Sequence, residues 1–331
     1  IIDAFAKYAA EGESSLQPIT VPHEFCAVSM AHGYTMVTGE PQVVMVHTTV
    51  GTANALGALI NASRARIPLI LTAGRTPITE QGFVGSRDGL IHWAQESFDQ
   101  AAMVREYVKW DYELRNFPQL ETVVRRAFTM AMTEPKGPVY LTLPREVLAE
   151  PHAEFNLADE KPIAPAAPAY PDPQKIEETA ALLAQAEQPL IITRSVGSNP
   201  RAVSALVALA DSFALPVIVY PLPQYANFPG DHPLHLGFDP GRYIESADLI
   251  LVIESDVPWL PSAHKPNPKA RVVHIGIDPL YSRYPIWGFP ADVAITAEPE
   301  IALKLLTAAL AKHRSACEAK IAGRFERAQA E

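Results

Sequence analysis

Apolar and polar positions along this chain switch repeatedly between helical spacing and short unbroken runs. Ile2, Phe5, Ala6 and Ala9 recur at helical spacing before Gly12, which predicts a short amphipathic helix over residues 1–12. L-Q-P-I-T-V (16–21) reads as a short strand. A helix is predicted from Pro22, whose fixed φ suits a first turn, to about Thr38, where Gly39-Glu40-Pro41 stops it. Val43 to Val46 is continuously apolar, as in a parallel strand buried on both faces. His47 to Gly51 then reads as a polar turn, Thr52 to Ser63 as a helix, and Pro68 to Thr72 as another buried strand. Strand, helix and strand at this length make a βαβ unit with an expected right-handed crossover.

Residues 76–118 lack a clear period. A strand is expected at Tyr107 to Trp110, a helix over Leu120 to Thr133, and a last apolar strand over Gly137 to Pro144. Six prolines between Pro151 and Pro173 mark an extended linker. The alternation then restarts. Helices are predicted at Ile176 to Ala186, Pro200 to Phe213, Tyr243 to Ser246 and Pro299 to His313. Strands are predicted at Pro189 to Thr193, Pro216 to Tyr220, Asp248 to Ile253, Arg271 to Asp278 and Val293 to Thr296. The reading is α/β, with two doubly wound parallel-sheet domains. The first spans 1–150, the linker 151–173 and the second domain 174–313. A charged, Ala-rich helical tail at 314–331 reads as a bridge to something beyond.

The length of 331 residues agrees with two cores, since single cores stop growing near roughly 250 residues. A net charge of −10 disfavours nucleic acid and anionic membranes, which attract basic faces. No apolar run approaches the roughly 20 residues of a membrane span. Only 19% of residues are charged, which suggests a surface partly covered by other subunits. Cys26 and Cys317 are far apart in helical patterns and read as reduced thiols of a cytoplasmic protein. Ile1 in place of Met, without a charged and apolar leader, reads as a trimmed start rather than a signal peptide.

Several chemistries lack their motifs. There is no G-x-x-x-x-G-K-[ST], no G-x-G-x-x-G after a strand, no C-x-x-C and no G-x-S-x-G. His23-Glu24 begins like H-E-x-x-H, but position 27 is Ala, so a zinc site fails and no metal ligand set is expected in this chain. What remains is a set of polar groups at the carboxyl end of the first βαβ unit, where doubly wound sheets bind ligands. Glu24 opens a helix among Val21, Pro22, Phe25 and Ala27. An acid there complements the helix dipole. Alternatively, it is a carboxyl in an apolar wall, with a raised pKa suited to sharing a proton with a ligand nitrogen. His47 ends the strand, either as a structural histidine or as a site residue. Gly51 and Asn54 belong to a turn opening a helix, where free N–H groups collect.

The stretch from Glu24 to Val44, with G-T-A-N-A-L (51–56) and P-L-I-L-T-A-G (68–74), resembles the pyrimidine-binding domain of thiamine diphosphate enzymes. The acetolactate synthase and benzoylformate decarboxylase group is the most similar. The likeness continues through Gln95-Glu96, V-K-W (108–110), G-P-V-Y-L-T-L-P-R-E-V (137–147), A-D-L-I-L-V-I (247–253) and V-V-H-I-G-I-D-P (272–279), so it covers nearly the whole chain. It implies an enzyme acting on 2-oxo acids by decarboxylation or carboligation, with its site between the subunits of a homodimer or homotetramer. Glu24 would hydrogen-bond the N1′ nitrogen of the coenzyme's aminopyrimidine and favour the imino form that deprotonates thiazolium C2. Gly51 and Asn54 would join Glu24 in binding the coenzyme. His47 resembles the proton-transferring histidine of the decarboxylases, and V-K-W-D-Y-E points the same way. Gln95-Glu96 resembles the synthases, with Gln95 near substrate.

Two departures qualify the resemblance. The family's G-D-G motif with its downstream Asn, which holds Mg²⁺ and the diphosphate, does not occur, so Mg²⁺ would bind through a third domain outside this chain. A fragment unable to turn over alone is therefore expected. In the second domain the first strand ends Thr193-Arg194, and the strand taken as the fourth ends Ile253-Glu254. Arg194 and Glu254 are expected to pair across the switch point, filling the place where some relatives bind FAD or ADP, so FAD is not expected. A dinucleotide-binding protein and a non-catalytic relative of the same fold remain as alternatives.

Overall fold

The computed structural model describes residues 2–12, 17–151 and 163–329. The chain divides into two units, Ile1–Ala167 and Pro168–Glu331.

The first unit runs α1 (Ile2–Glu11), α2 (Glu24–Thr38), β1 (Gln42–Val46), α3 (Thr48–Arg64), β2 (Leu69–Arg75), α4 (Ile91–Ala94), β3 (Asp111–Glu113), α5 (Leu120–Met132), β4 (Val139–Pro144) and α6 (Arg145–Ala149). Its strands are all parallel, in the order β1-β2-β4-β3. Alternate residues feed two cores. Leu69, Leu71 and Tyr140 face one, and Ile70, Val139 and Leu141 face the other, as the two-residue period of a strand requires. His23 starts α2 by accepting the Phe25 N–H on Nδ1 at 3.1 Å. Gly39, with φ of +75°, ends it by returning its N–H to Thr35 O.

Several expectations are corrected here. Helix α1 forms but buries none of its residues. Residues 17–21 form no strand, and Leu16 lies outside the described residues. Among the described residues no strand pairs with the outer edge of β1. On β1 itself only Val44 and Val46 are buried, while Val43 is 56% and Met45 44% exposed. An edge strand with one uncovered face alternates in burial, although its sequence is evenly apolar. The expected turn at 47–51 is the first turn of α3, with Thr48 making the corner at φ of +42°. The strand expected at Tyr107 to Trp110 is β3, at Asp111–Glu113. Its approach to β4 begins earlier, through Lys109 N–H to Pro138 O and Tyr140 N–H to Trp110 O.

The second unit runs α7 (Pro173–Gln185), β5 (Pro189–Thr193), α8 (Pro200–Phe213), β6 (Val217–Val219), α9 (Gly241–Ser246), β7 (Leu249–Ile253), β8 (Arg271–Gly276), β9 (Val293–Thr296), α10 (Pro299–Ala311) and α11 (Arg314–Gln329). Its strands are parallel in the order β6-β5-β7-β8-β9, again between two cores. Strand order therefore reverses between β5 and β7, and Ile253 ends the third strand of this sheet, not the fourth. Arg194 reaches Asp256 rather than the expected Glu254, with Nη1 to Oδ2 at 2.9 Å. Asp256 also accepts the Tyr284 hydroxyl at 2.8 Å. Glu254 turns instead to the end of β8, accepting the Ile277 N–H at 2.5 Å above Gly276, where an added Cβ would lie 2.7 Å from its Oε1.

Helix α11 docks on α7, burying Cys317 and Arg324. Cys317 is free and so is Cys26, which is exposed.

Inside this unit His274 on β8 is fully buried and donates its Nε2–H to Pro290 O at 3.0 Å. Burial lowers its pKa from 6.5 to about 4. Above 6.5 the imidazole is neutral in both folded and unfolded chains. Between 6.5 and about 4 the unfolded chain takes a proton that the folded one refuses, so stability falls as acid is added. The full window corresponds to about 3 kcal/mol. Urea unfolding of the second unit followed between these limits is expected to show this loss, and His274→Gln to flatten it.

Candidate active site

Four elements bring the candidate residues together at the carboxyl end of β1. Helix α2 begins with Glu24, β1 ends before His47, α3 opens with Thr48, and the segment after α4 carries Gln95. Gly51 is the reason Glu24 can come close. A Cβ there would lie 3.3 Å from Glu24 Oε1 and 3.0 Å from Val46 Cβ, tighter than side chains normally approach. One turn on, Asn54 Nδ2 donates to Glu24 Oε2 at 3.2 Å. Glu24, Gly51 and Asn54 thus form one cluster from residues far apart in sequence.

The carboxyl is not in an apolar wall. Glu24 is partly exposed, and a backbone hydrogen bond at its own residue, then the Asn54 amide, hold its pKa below the usual carboxylate value. The expected upward shift is absent in this chain because Pro22 and Phe25, its apolar neighbours, are themselves exposed and leave it wet. His47 is exposed and close enough to act on the Glu24 charge.

Gln95 joins His47 through Thr48. The Thr48 hydroxyl is 3.3 Å from His47 Nδ1 and 3.5 Å from Gln95 Oε1, and the Thr49 hydroxyl donates to Gln95 O at 2.8 Å. Glu96 anchors the same segment. Its carboxylate pairs with Arg75 at 2.9 Å and with Arg87, and it accepts the Thr76 hydroxyl at 2.9 Å.

Beneath this lies a buried polar network that sequence reading missed. Gln100 Nε2 donates to Gly74 O at 3.1 Å and to the Tyr140 hydroxyl at 2.9 Å, and Tyr140 meets the Thr52 hydroxyl at 2.7 Å. A tyrosine in a buried, largely apolar strand needs a partner for its hydroxyl, and that was the available signal.

The cluster fits an aminopyrimidine on this chain's own evidence. A carboxylate lies close to a bare glycine with one oxygen held by an amide, which leaves the other oxygen able to hydrogen-bond a ring nitrogen. Among the described residues no group of three or more His, Cys, Asp or Glu could hold a metal ion, and no helix is long and apolar enough to cross a membrane.

Comparisons with known proteins give the family. Residues 2–103 match the family described as thiamine pyrophosphate enzyme, N-terminal TPP binding domain, and residues 176–306 match its central domain. The chain is 27% identical over 288 residues to a benzoylformate decarboxylase of Pseudomonas aeruginosa, covering 83% of this chain and 53% of that protein. It is 26% identical over 281 residues to the large subunit of acetolactate synthase isozyme 1 of Escherichia coli, covering 82% and 47%. The crystal structure of benzoylformate decarboxylase from Polynucleobacter necessarius superposes with a TM-score of 0.76 at 25% identity, covering 90% of this chain and 55% of that one. The chain thus spans about half the length of the curated relatives it matches. With both domains matched in chain order and the two parallel sheets in place, the chain belongs to the thiamine pyrophosphate enzyme family.

Proposed function

We propose that this chain forms the pyrimidine-binding half of a thiamine diphosphate-dependent enzyme that acts on 2-oxo acids, by decarboxylation or carboligation. The observation that carries this reading is the Glu24 carboxylate set against Gly51 and tied to Asn54. When bound, the coenzyme supplies an acidic C–H and an electron-accepting ring for chemistry next to a carbonyl. Glu24 holds a proton against the pyrimidine ring nitrogen, and Asn54 fixes the orientation of its second oxygen. Gly51 keeps the floor of the site free of a side chain. His47, exposed at the end of β1, moves protons to and from substrate-derived groups, and Gln95 faces the substrate. Mg²⁺ and the diphosphate are assigned to a third domain.

The same reading includes a cytoplasmic homodimer or homotetramer with the site between subunits. Phe25, Met30, Tyr34 and Val37 on α2 are all exposed, which supports a covering surface there. Removing water from Glu24 by such a cover would raise its pKa toward the range useful for proton sharing. A panel of aromatic and aliphatic 2-oxo acids, given to the full-length protein with thiamine diphosphate and Mg²⁺, tests the reading. CO₂ release, with an aldehyde or an acyloin-type acid as product, is the expected result. No turnover of any 2-oxo acid would overturn it.

A further inference from the structure

Thr48 forms the corner between β1 and α3. Thr48 is a β-branched residue at φ of +42°, a conformation such residues rarely adopt, and it is buried. Its surroundings hold it there. Its Cγ2 lies 3.6 Å from the position a Cβ would take on Gly74. Its carbonyl accepts the Thr52 hydroxyl at 2.8 Å.

The network beneath has a direction, because each hydroxyl has one proton. Thr52 gives its proton to Thr48 O, so the Tyr140 hydroxyl donates to Thr52, and Gln100 Nε2 donates to Tyr140. The chain of donors therefore runs from Gln100 to the backbone of Thr48 and fixes the corner on which the Thr48 side chain stands.

That side chain has one proton to share between two neighbours. Gln95 Oε1 can only accept. The Thr48 proton therefore points to Gln95, and His47 Nδ1 must donate to Thr48 Oγ. We propose that Thr48, backed by Gln95, is a positioning residue that holds neutral His47 as the Nδ1–H tautomer, leaving the Nε2 lone pair free as the proton acceptor of the site. This rests on the reading of His47 as a proton-transfer group and names the atom through which it acts.

Nitrogen NMR of the labelled 331-residue chain, in alkaline solution where imidazoles are neutral, reads the tautomer without coenzyme. His47→Gln assigns the signal. Wild type, Thr48→Ser and Gln95→Glu are expected to show Nδ1 protonated, since a hydroxyl and an acceptor remain in each. Thr48→Val keeps the branched shape but not the hydroxyl, and is expected to revert to the Nε2–H form that free imidazole side chains favour in water. Three results would each overturn the proposal: Nε2–H in wild type, an unchanged tautomer in Thr48→Val, or a tautomer in Gln95→Glu opposite to wild type. The last would mean that the Gln95 amide presents its N–H to Thr48. A protein that binds no thiamine diphosphate but shows the Nδ1–H tautomer would refute the coenzyme reading alone.

Discussion

Glu24→Gln is expected to lower turnover of the full-length protein by roughly 10²–10⁴-fold, the usual contribution of a positioned acid–base group. Gln has nearly the same shape and can still accept the Asn54 amide proton, which reaches Glu24 Oε2 at 3.2 Å. The clearance above Gly51 is also unchanged. What disappears is a group able to take and return a proton at that point. The fold therefore stays intact, and the loss falls on kcat at saturating coenzyme rather than on expression or melting. Turnover within a factor of a few of wild type would remove Glu24 from the chemistry and leave it as a helix-dipole residue.

The second large effect concerns stability. Arg324→Ala is expected to destabilise the second unit by about 3 kcal/mol, the order found when buried acceptors lose their partners. Arg324 is 2% exposed and donates to Phe213 O at 3.2 Å, Leu183 O at 3.1 Å and Ala186 O. Phe213 ends α8, and Leu183 and Ala186 flank the end of α7. Carbonyls at helix C-termini have no partner within their own helix, so one guanidinium serves two helix ends. Lys320 and Arg327 extend the clamp, to Gln185 O at 2.6 Å and Glu187 O at 2.9 Å. Arg324→Lys keeps the charge but not the planar fork, and is expected to fall between wild type and Ala. Urea unfolding measures the loss, and limited proteolysis within 314–329 reports whether α11 loosens with it. A change in stability within about 0.5 kcal/mol, the usual range for surface substitutions, would contradict the assignment.

Much of the architecture could be read from local signals. Gly39 ends α2 where expected because it tolerates a left-handed exit, whereas the start expected at Pro22 falls two residues later, with His23 as the cap and Glu24 as the first helical residue. Pro189 to Thr193 was read as a strand with the bounds it has, since an apolar run between turn signals leaves little alternative. Local pattern failed where a neighbour decides the outcome. Val43 and Met45 look like core residues and are exposed because β1 lies at an edge. Arg194 was assigned the wrong partner because loop direction after β7, not strand position, selects Asp256 over Glu254. The docking of helix α11 was not legible because its buried face is sparse, with Cys317, Ile321 and Ala328 beside the buried Arg324.

The site was legible to a similar extent. Glu24, His47, Gly51, Asn54 and Gln95 were each named as candidates from sequence, partly through the family resemblance. Their arrangement was not, since the approach of Glu24 to Gly51 depends on how α2 packs on α3. The raised pKa expected for Glu24 failed for a related reason. First-turn neighbours suggested an apolar wall, but Pro22 and Phe25 are exposed and Val21 and Ala27 only half-buried. Thr48 was overlooked because its role comes from a backbone angle and a hydroxyl orientation, neither of which a residue type reveals.

The most direct test of the account is a calorimetric titration of the full-length protein with thiamine diphosphate and Mg²⁺, followed by turnover at saturation, in wild type and Glu24→Gln side by side. The predicted result is coenzyme binding in both proteins, weaker in the variant by tenfold or less, with turnover falling by at least about 10²-fold. Equal turnover at saturation, or no coenzyme binding by wild type, would contradict it.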